Sequence, residues 1–268
     1  MWKENILRKL LNEGKPTIGT HIIAPWPGMF EIIGNSGAFD YVEYVAEYSD
    51  WDLPMIANIG RTMELFSKMS LMIKVEEQAK GFLTTRAVDA GFQSVLFTDI
   101  RSAEALRESI RYIRVETLED GGIHGSGNRR HSGGYGAARD ASKWPQYMRE
   151  IVVVSMIEKP GAMEDLDAIL DIEGLDMVQF GPGDYSVSIG MAGQGRSAQV
   201  QDKHKEMIEK ALKKGVAPRV EISTADQAEP YIEMGVKHFC MGWDVATMSE
   251  WCKNQGTALR GLVEKVFL

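Results

Sequence analysis

The sequence predicts an α/β protein, an eight-stranded parallel (β/α)8 barrel, from three observations. Eight short apolar runs rich in β-branched and aromatic residues recur along the chain. Segments of helical period separate most of them, which implies parallel strands joined by crossover connections. The 268 residues suit a single such barrel, which takes about 250. An open doubly wound sheet is the competing architecture. The count of eight and the lack of a glycine-rich dinucleotide fingerprint after any strand disfavour it. One domain over residues 1–268 is therefore expected.

The chain opens on an amphipathic helix over about residues 2–13. It lacks a continuous apolar core and a small-residue cleavage site, so it does not read as a signal peptide. The strands follow at Thr17–Ile23, Tyr41–Glu47, Leu71–Val75, Ser94–Ile100, Ile151–Glu158, Met177–Gly181, Ala217–Ile222 and His238–Gly242. The helical segments are Gly28–Gly34, Leu53–Lys68, Lys80–Ala90, Ala103–Val115, Ala162–Asp171, Val200–Lys213, Ala225–Met234 and Val245–Val266. Several stop at a glycine just before the next strand, at Gly91, Gly174, Gly215 and Gly235. The stretch from Glu116 to Trp144, with seven glycines, two histidines and three arginines, breaks the rhythm and reads as an elaborated loop after the fourth strand–helix unit.

Composition excludes several classes. The net charge of −8, with no concentrated basic stripe, argues against nucleic acid. No run of about 20 apolar residues is present to span a membrane. Two cysteines, Cys240 and Cys252, do not make a disulfide framework, so a reducing cytoplasm is the expected compartment.

Chemistry in a parallel α/β protein gathers at the C-terminal ends of the strands. Glu158 closes the fifth strand. Asp184 follows the sixth, inside Gly181-Pro182-Gly183-Asp184-Tyr185-Ser186. Two such carboxylates project into one mouth and suit a hard divalent cation, with water and substrate as further ligands; each also has a reading as a helix or turn cap. Gly181 and Gly183 could form a small anion-binding nest or an ordinary tight turn. Glu47 ends the second strand, with Tyr48 next. Lys74 sits in the third strand, placed to hold a substrate carboxylate or, if desolvated, to form a Schiff base. Arg219 and Glu221 lie two apart and so share a strand face, where they must be paired or functional. His21 shares its face with Gly19 and Ile23 and reads as a core histidine or a lumen group. His124 and His131 lie in the glycine-rich loop and could reach the mouth. The histidines show no zinc-ligand spacing, and neither a GxSxG elbow nor a P-loop appears.

Three blocks carry a resemblance: GTHI at residues 19–22, IEKPGAMEDLDAILDIEGLDMVQFGPGDYSVSIGM at 157–191 and GVKHFCMGWDV at 235–245. They resemble the class II, metal-dependent pyruvate aldolases of the HpcH/HpaI family. The resemblance implies a (β/α)8 barrel that forms homo-oligomers, usually hexamers, with the C-terminal helix, about residues 245–266 here, on a neighbouring subunit. It implies a divalent cation, Mg2+ or Mn2+ with Co2+ also suitable, held by Glu158 and Asp184. It implies cleavage of a 4-hydroxy-2-oxoacid to pyruvate, or an analogue, and an aldehyde through a metal-stabilised enolate. The same enolate would serve a decarboxylase or acyl-condensing enzyme of an oxaloacetate-like acid, and an impaired barrel would merely bind the 2-oxoacid.

Departures from the family pattern cluster at the mouth. Its Asp-Gly-Glu-His is matched by Val45, Ala46, Glu47 and Tyr48, so Tyr48 replaces the histidine that assists proton transfer. Its third-strand arginine is matched by Lys74, and the small residues of its seventh strand by Arg219 and Glu221. Tyr48 could transfer protons if its pKa is lowered. Arg219, Arg101 or the Arg129–Arg130 pair could bind the substrate anion, with Arg219 best placed. The expected site is therefore Glu47, Tyr48 and Lys74 as catalytic residues, Gly181, Gly183, Asp184 and Arg219 around the substrate, and Glu158 with Asp184 on the metal.

Overall fold

The structure, a computed structural model, describes residues 3–125 and 141–267. In chain order the helices and strands are α1 (Ile6–Asn12), β1 (Thr17–Ile22), α2 (Pro27–Ser36), β2 (Tyr41–Val45), α3 (Leu53–Met63), β3 (Ser70–Val75), α4 (Lys80–Ala90), β4 (Ser94–Phe97), α5 (Ala103–Arg111), α6 (Trp144–Arg149), β5 (Val152–Ile157), α7 (Pro160–Glu164), α8 (Leu166–Leu170), β6 (Met177–Phe180), α9 (Pro182–Ser188), α10 (Ala198–Lys214), β7 (Ala217–Ile222), α11 (Glu229–Glu233), β8 (His238–Trp243) and α12 (Asp244–Phe267). The eight strands pair in sequence order, all parallel, and β8 closes on β1.

Strand periodicity divides the core in two. One set of side chains, including Tyr41, Met72, Leu96, Val152, Val154, Met156 and Met177, fills the lumen. The alternate set, including Val42, Tyr44, Ile73, Val75, Val95, Phe97, Val153 and Val178, packs under the helices. Helix α1 plugs the N-terminal end of the lumen with Leu7, which is fully buried, and Leu11. Its N-cap Asn5 accepts from the Arg8 N–H, while its amide donates to the Gln93 and Glu150 carbonyls, tying the plug to the barrel floor. Gly19 is required by the lumen's packing: a Cβ there would lie 2.2 Å from the Tyr41 ring.

Several boundaries differ from expectation. Strand β4 ends at Phe97, short of Ile100, because Asp99 turns into the left-handed region with φ 56°. The helix expected over Ala162–Asp171 is two, α7 and α8, divided at Asp165, whose carboxylate accepts from the Ala103 N–H at 2.6 Å. The GPGDYS stretch is not a bare turn; it opens α9, with Pro182 in the first turn where its missing N–H costs nothing. Helix α6 lies at the edge of the segment read as a loop. The final helix matches its expected span within one residue at each end, Asp244–Phe267, and buries none of its residues.

Candidate active site

At the C-terminal mouth of the barrel a pocket of about 370 Å³ draws on β1, β2, β3, β5, β6, β7, β8 and the loops and helices that follow. Glu158, Asp184, Lys74, Tyr48, Gly181, Gly183, His21 and Glu221 all line it, so most of the expected site is brought together. Among residues the sequence did not single out, Glu43, Gln179, His204, Tyr231 and Trp243 line it too.

Glu158 is 3% exposed at the end of β5. One carboxylate oxygen, Oε1, accepts the Asp99 backbone N–H at 2.8 Å. The other faces Gly181, where a Cβ would stand 2.6 Å from Oε2. Gly181 is thus glycine to leave room for the carboxylate. Burial pushes the Glu158 carboxyl up to about 7, against the Asp99 N–H and the charge of Lys74, while the charge of Asp184 adds to the rise. Asp184 is exposed in the first turn of α9 and faces the same pocket. A buried carboxylate with a cleared oxygen, beside a second carboxylate, is a hard-oxygen donor set short of positive charge, and it fits a divalent cation. Among the described residues no group of three or more His, Cys, Asp or Glu could enclose an ion. The fit is therefore to an ion that keeps places for water and substrate.

The opposite side is built on β2 and β3. Lys74 Nζ lies 2.6 Å from Glu47 Oε2, and 5.1 Å from the centre of the Tyr48 ring. Burial works to lower the Lys74 pKa, but Glu47, Tyr48 and Glu43 outweigh it and hold the ammonium above its ordinary value. Lys74 stays protonated, which removes the Schiff-base reading. Glu47 does not itself line the pocket; it fixes Lys74. Tyr48 corrects its expectation in the other direction. Burial first, with Glu47 and Asp184 adding, pushes its phenol up to about 12 despite Lys74. Its phenol therefore carries its proton at neutral pH, an O–H facing the pocket.

Arg219 is the clearest correction. It is fully buried and does not line the pocket. Its guanidinium lies in the lumen, donating Nε to Tyr41 Oη at 2.7 Å, one terminal nitrogen to Gln179 Oε1 and the other to Glu43 Oε2. All three nitrogens have partners within the protein, so Arg219 holds the floor and not the substrate. Glu221, two residues on, reaches the pocket and accepts from Gln179 Nε2 at 3.1 Å. Arg101 pairs with Glu77 at 2.8 Å, also away from the pocket. His124 is buried beside Trp144, with ring centres 6.5 Å apart, and does not line the mouth. Arg129, Arg130 and His131 lie outside the described residues.

The remaining wall is aromatic. His204 of α10 stacks on Phe180 at 5.0 Å and lies 5.3 Å from Tyr231. His21 meets Trp243 edge to face at 5.4 Å, and its Nδ1 lies 3.5 Å from Cys240 Sγ. Glu43 and Gln179 had a signal in the sequence, since strand alternation puts them on the faces of Val45 and Gly181. His204 and Tyr231 had none, because they come from helices.

Known proteins are similar to this chain in sequence and in fold. The chain is 26% identical over 253 residues to a 4-hydroxy-2-oxo-heptane-1,7-dioate aldolase from Escherichia coli, covering 92% of this chain and 91% of that one. The solved HpcH/HpaI aldolase from Desulfitobacterium hafniense superposes with a TM-score of 0.84 at 24% identity, covering 95% and 96% of the two chains. The citrate synthase SbnG superposes with a TM-score of 0.82 at 20% identity, covering 97% and 98%, and so shares the fold. Residues 54–250 match the family described as HpcH/HpaI aldolase/citrate lyase, and the chain belongs to that family of lyases.

Proposed function

We propose that the protein is a divalent-metal-dependent carbon–carbon lyase that cleaves a 4-hydroxy-2-oxoacid to pyruvate, or a close analogue, and an aldehyde. The observation that carries this reading is Glu158: buried, cleared by Gly181, tied to the Asp99 N–H and facing the pocket it shares with Asp184. Glu158 and Asp184 would hold the cation, Mg2+ or Mn2+. When bound, it supplies the positive charge that stabilises negative charge on the 2-oxo oxygen as the C3–C4 bond breaks. Lys74, locked by Glu47 and kept protonated, is the lysine or arginine available to the substrate carboxylate among the described pocket-lining residues. As a point charge it gives less orientation than an arginine fork. Tyr48 Oη, neutral and half exposed, would donate a hydrogen bond to the C4 oxygen of the substrate without taking its proton.

A homo-oligomer is part of the same proposal. Val245, Met248, Trp251, Leu259, Leu262, Val263 and Val266 are all exposed on α12 and fall within an arc of about 120° at helical spacing. The helix meets the barrel mainly at β8 and β1. Between helix and barrel lies an apolar groove of about 660 Å³, lined by Ile22, Met29, Ile33, Phe39 and Trp243 and by Met248 and Trp251 of the stripe itself. The distal part of the stripe on one copy, Leu259, Leu262, Val263 and Val266, suits the groove on another.

The test is exchange of pyruvate methyl protons with solvent by the purified protein with Mn2+ or Mg2+, followed by pyruvate release from 4-hydroxy-2-oxoacids. Glu158→Gln and Asp184→Asn are expected to lose calorimetric Mn2+ binding while remaining folded. Retained affinity in either variant, or no exchange by metal-loaded protein, refutes the reading. Release of CO2 from oxaloacetate without an aldehyde product moves it to a decarboxylase.

A further inference from the structure

We infer that Glu221 sets the substrate class of this pocket by excluding a second carboxylate, so that the aldehyde half of the substrate is neutral and bears hydroxyl groups. The inference rests on the lyase reading above. It follows from accounting for each acidic and basic side chain at the pocket among the described residues. Lys74 is paired with Glu47, and Glu43 with Arg219. Glu158 and Asp184 are the donor pair for the cation. Glu221 remains. Its side chain is 48% exposed, and its contacts are the neutral Gln179 amide at 3.1 Å and His21 Nδ1 at 4.0 Å. Among the described residues no arginine, and no lysine besides Lys74, lines the pocket.

Gln179 and His21 stand beside Glu221, Trp243 packs on His21, and Tyr231 lines the same pocket. This wall offers a carboxylate and an amide to hydroxyl groups, and ring faces to the C–H groups beside them. A carboxylate brought to the same wall would meet Glu221 with no arginine or lysine beside it among the described residues, and like charges facing each other are strongly disfavoured. The Escherichia coli relative is named for a 1,7-dioate. Breaking the C3–C4 bond of that acid, with the 4-hydroxyl proton leaving and C3 gaining one, gives pyruvate and succinate semialdehyde, an anionic aldehyde. The geometry here points to the opposite preference.

The experiment runs the reaction as an aldol addition. Mn2+-loaded full-length protein and saturating pyruvate are given glycolaldehyde, glyceraldehyde or succinate semialdehyde, and kcat/KM is measured for each. Wild type is expected to favour the hydroxyaldehydes by at least about tenfold, mostly through KM for the charged aldehyde. Glu221→Lys is expected to reverse the order, and Glu221→Gln to narrow the ratio by at least about threefold, which keeps the test open if the lysine variant misfolds. Equal or better use of succinate semialdehyde by wild type overturns the inference, as does a ratio unmoved by both substitutions. So does exchange of pyruvate protons with addition to neither aldehyde class. Proton exchange by wild type reads the lyase reading separately: exchange with the wrong aldehyde preference defeats this inference alone, and no exchange defeats both.

Discussion

The backbone N–H of Asp99 donates to Glu158 Oε1 at 2.8 Å, and Asp99 is the one described non-glycine residue with positive φ, 56°. The left-handed conformation at the end of β4 turns that N–H toward the buried carboxylate. Asp99 also pairs with Lys159 at 2.7 Å, which anchors the turn to the start of α7. Aspartate tolerates this region better than most residues, and β-branched residues tolerate it worst.

Separate substitutions divide the backbone role of Asp99 from its side chain. Asp99→Gly keeps the conformation and loses the Lys159 pair; Asp99→Val opposes the conformation as well. The valine variant is expected to lose about 1–2 kcal/mol of stability and about tenfold in calorimetric Mn2+ affinity. The glycine variant should stay within about threefold of wild type in affinity, since the N–H is retained. Equal losses in the two variants would show that the side chain, not the turn, supports Glu158.

Much of this was legible in the sequence, for identifiable reasons. Parallel strands buried on both faces read as apolar runs, so all eight were found. Glu158 stood out because it ends such a run. Arg219 and Glu221 show where the pattern stops. Period-two spacing assigns a face, and both do share one. It does not assign depth, and two residues along a strand are roughly 6–7 Å. That distance puts Arg219 in the closed lumen and Glu221 in the open pocket. His204 and Tyr231 were invisible for a different reason: which helical residue meets the mouth depends on how the helix is set against the barrel, which spacing does not encode.

The lumen position of Arg219 predicts a stability effect in place of a substrate effect. Removing one member of a buried, hydrogen-bonded ion pair leaves the other charge uncompensated, at a cost of about 3–5 kcal/mol. Arg219→Met is expected to lose that much in urea unfolding. Arg219→Met with Glu43→Gln should recover part of it, because the stranded carboxylate is gone. A single variant as stable as wild type would remove the ion pair from the account of the lumen.

The apolar stripe of α12 predicts a defined loss of assembly. Trp251 and Leu262, 63% and 65% exposed, lie on it three turns apart. Trp251→Glu and Leu262→Glu place charge in the stripe without touching the barrel core. Light scattering after size exclusion should show an oligomer for wild type and smaller species for both variants, with unchanged far-UV circular dichroism. A wild-type monomer would leave the stripe without its proposed partner.

Two buried histidines contribute to the loss of stability in acid, against the raised Glu158 carboxyl, which acts in the other direction. His204, 5% exposed in its stack on Phe180, and His238, 7% exposed with Nδ1 3.0 Å from Thr17 Oγ1, are both lowered to about 4. Burial is the cause for both, with Lys237 adding its charge at His238. The neutral rings belong to the folded state. Below the ordinary value of 6.5 the unfolded chain takes up protons that the folded chain refuses until about pH 4. Their contribution is therefore complete above pH 6.5 and is lost progressively between 6.5 and 4. Between pH 7 and pH 5 each histidine accounts for about 2 kcal/mol. His204→Phe, which keeps the stack, should unfold in urea with a pH 7 to pH 5 loss smaller than wild type by about that amount, and His238→Gln by a similar one. If both variants lose as much as wild type over that interval, the acid limb belongs to other groups.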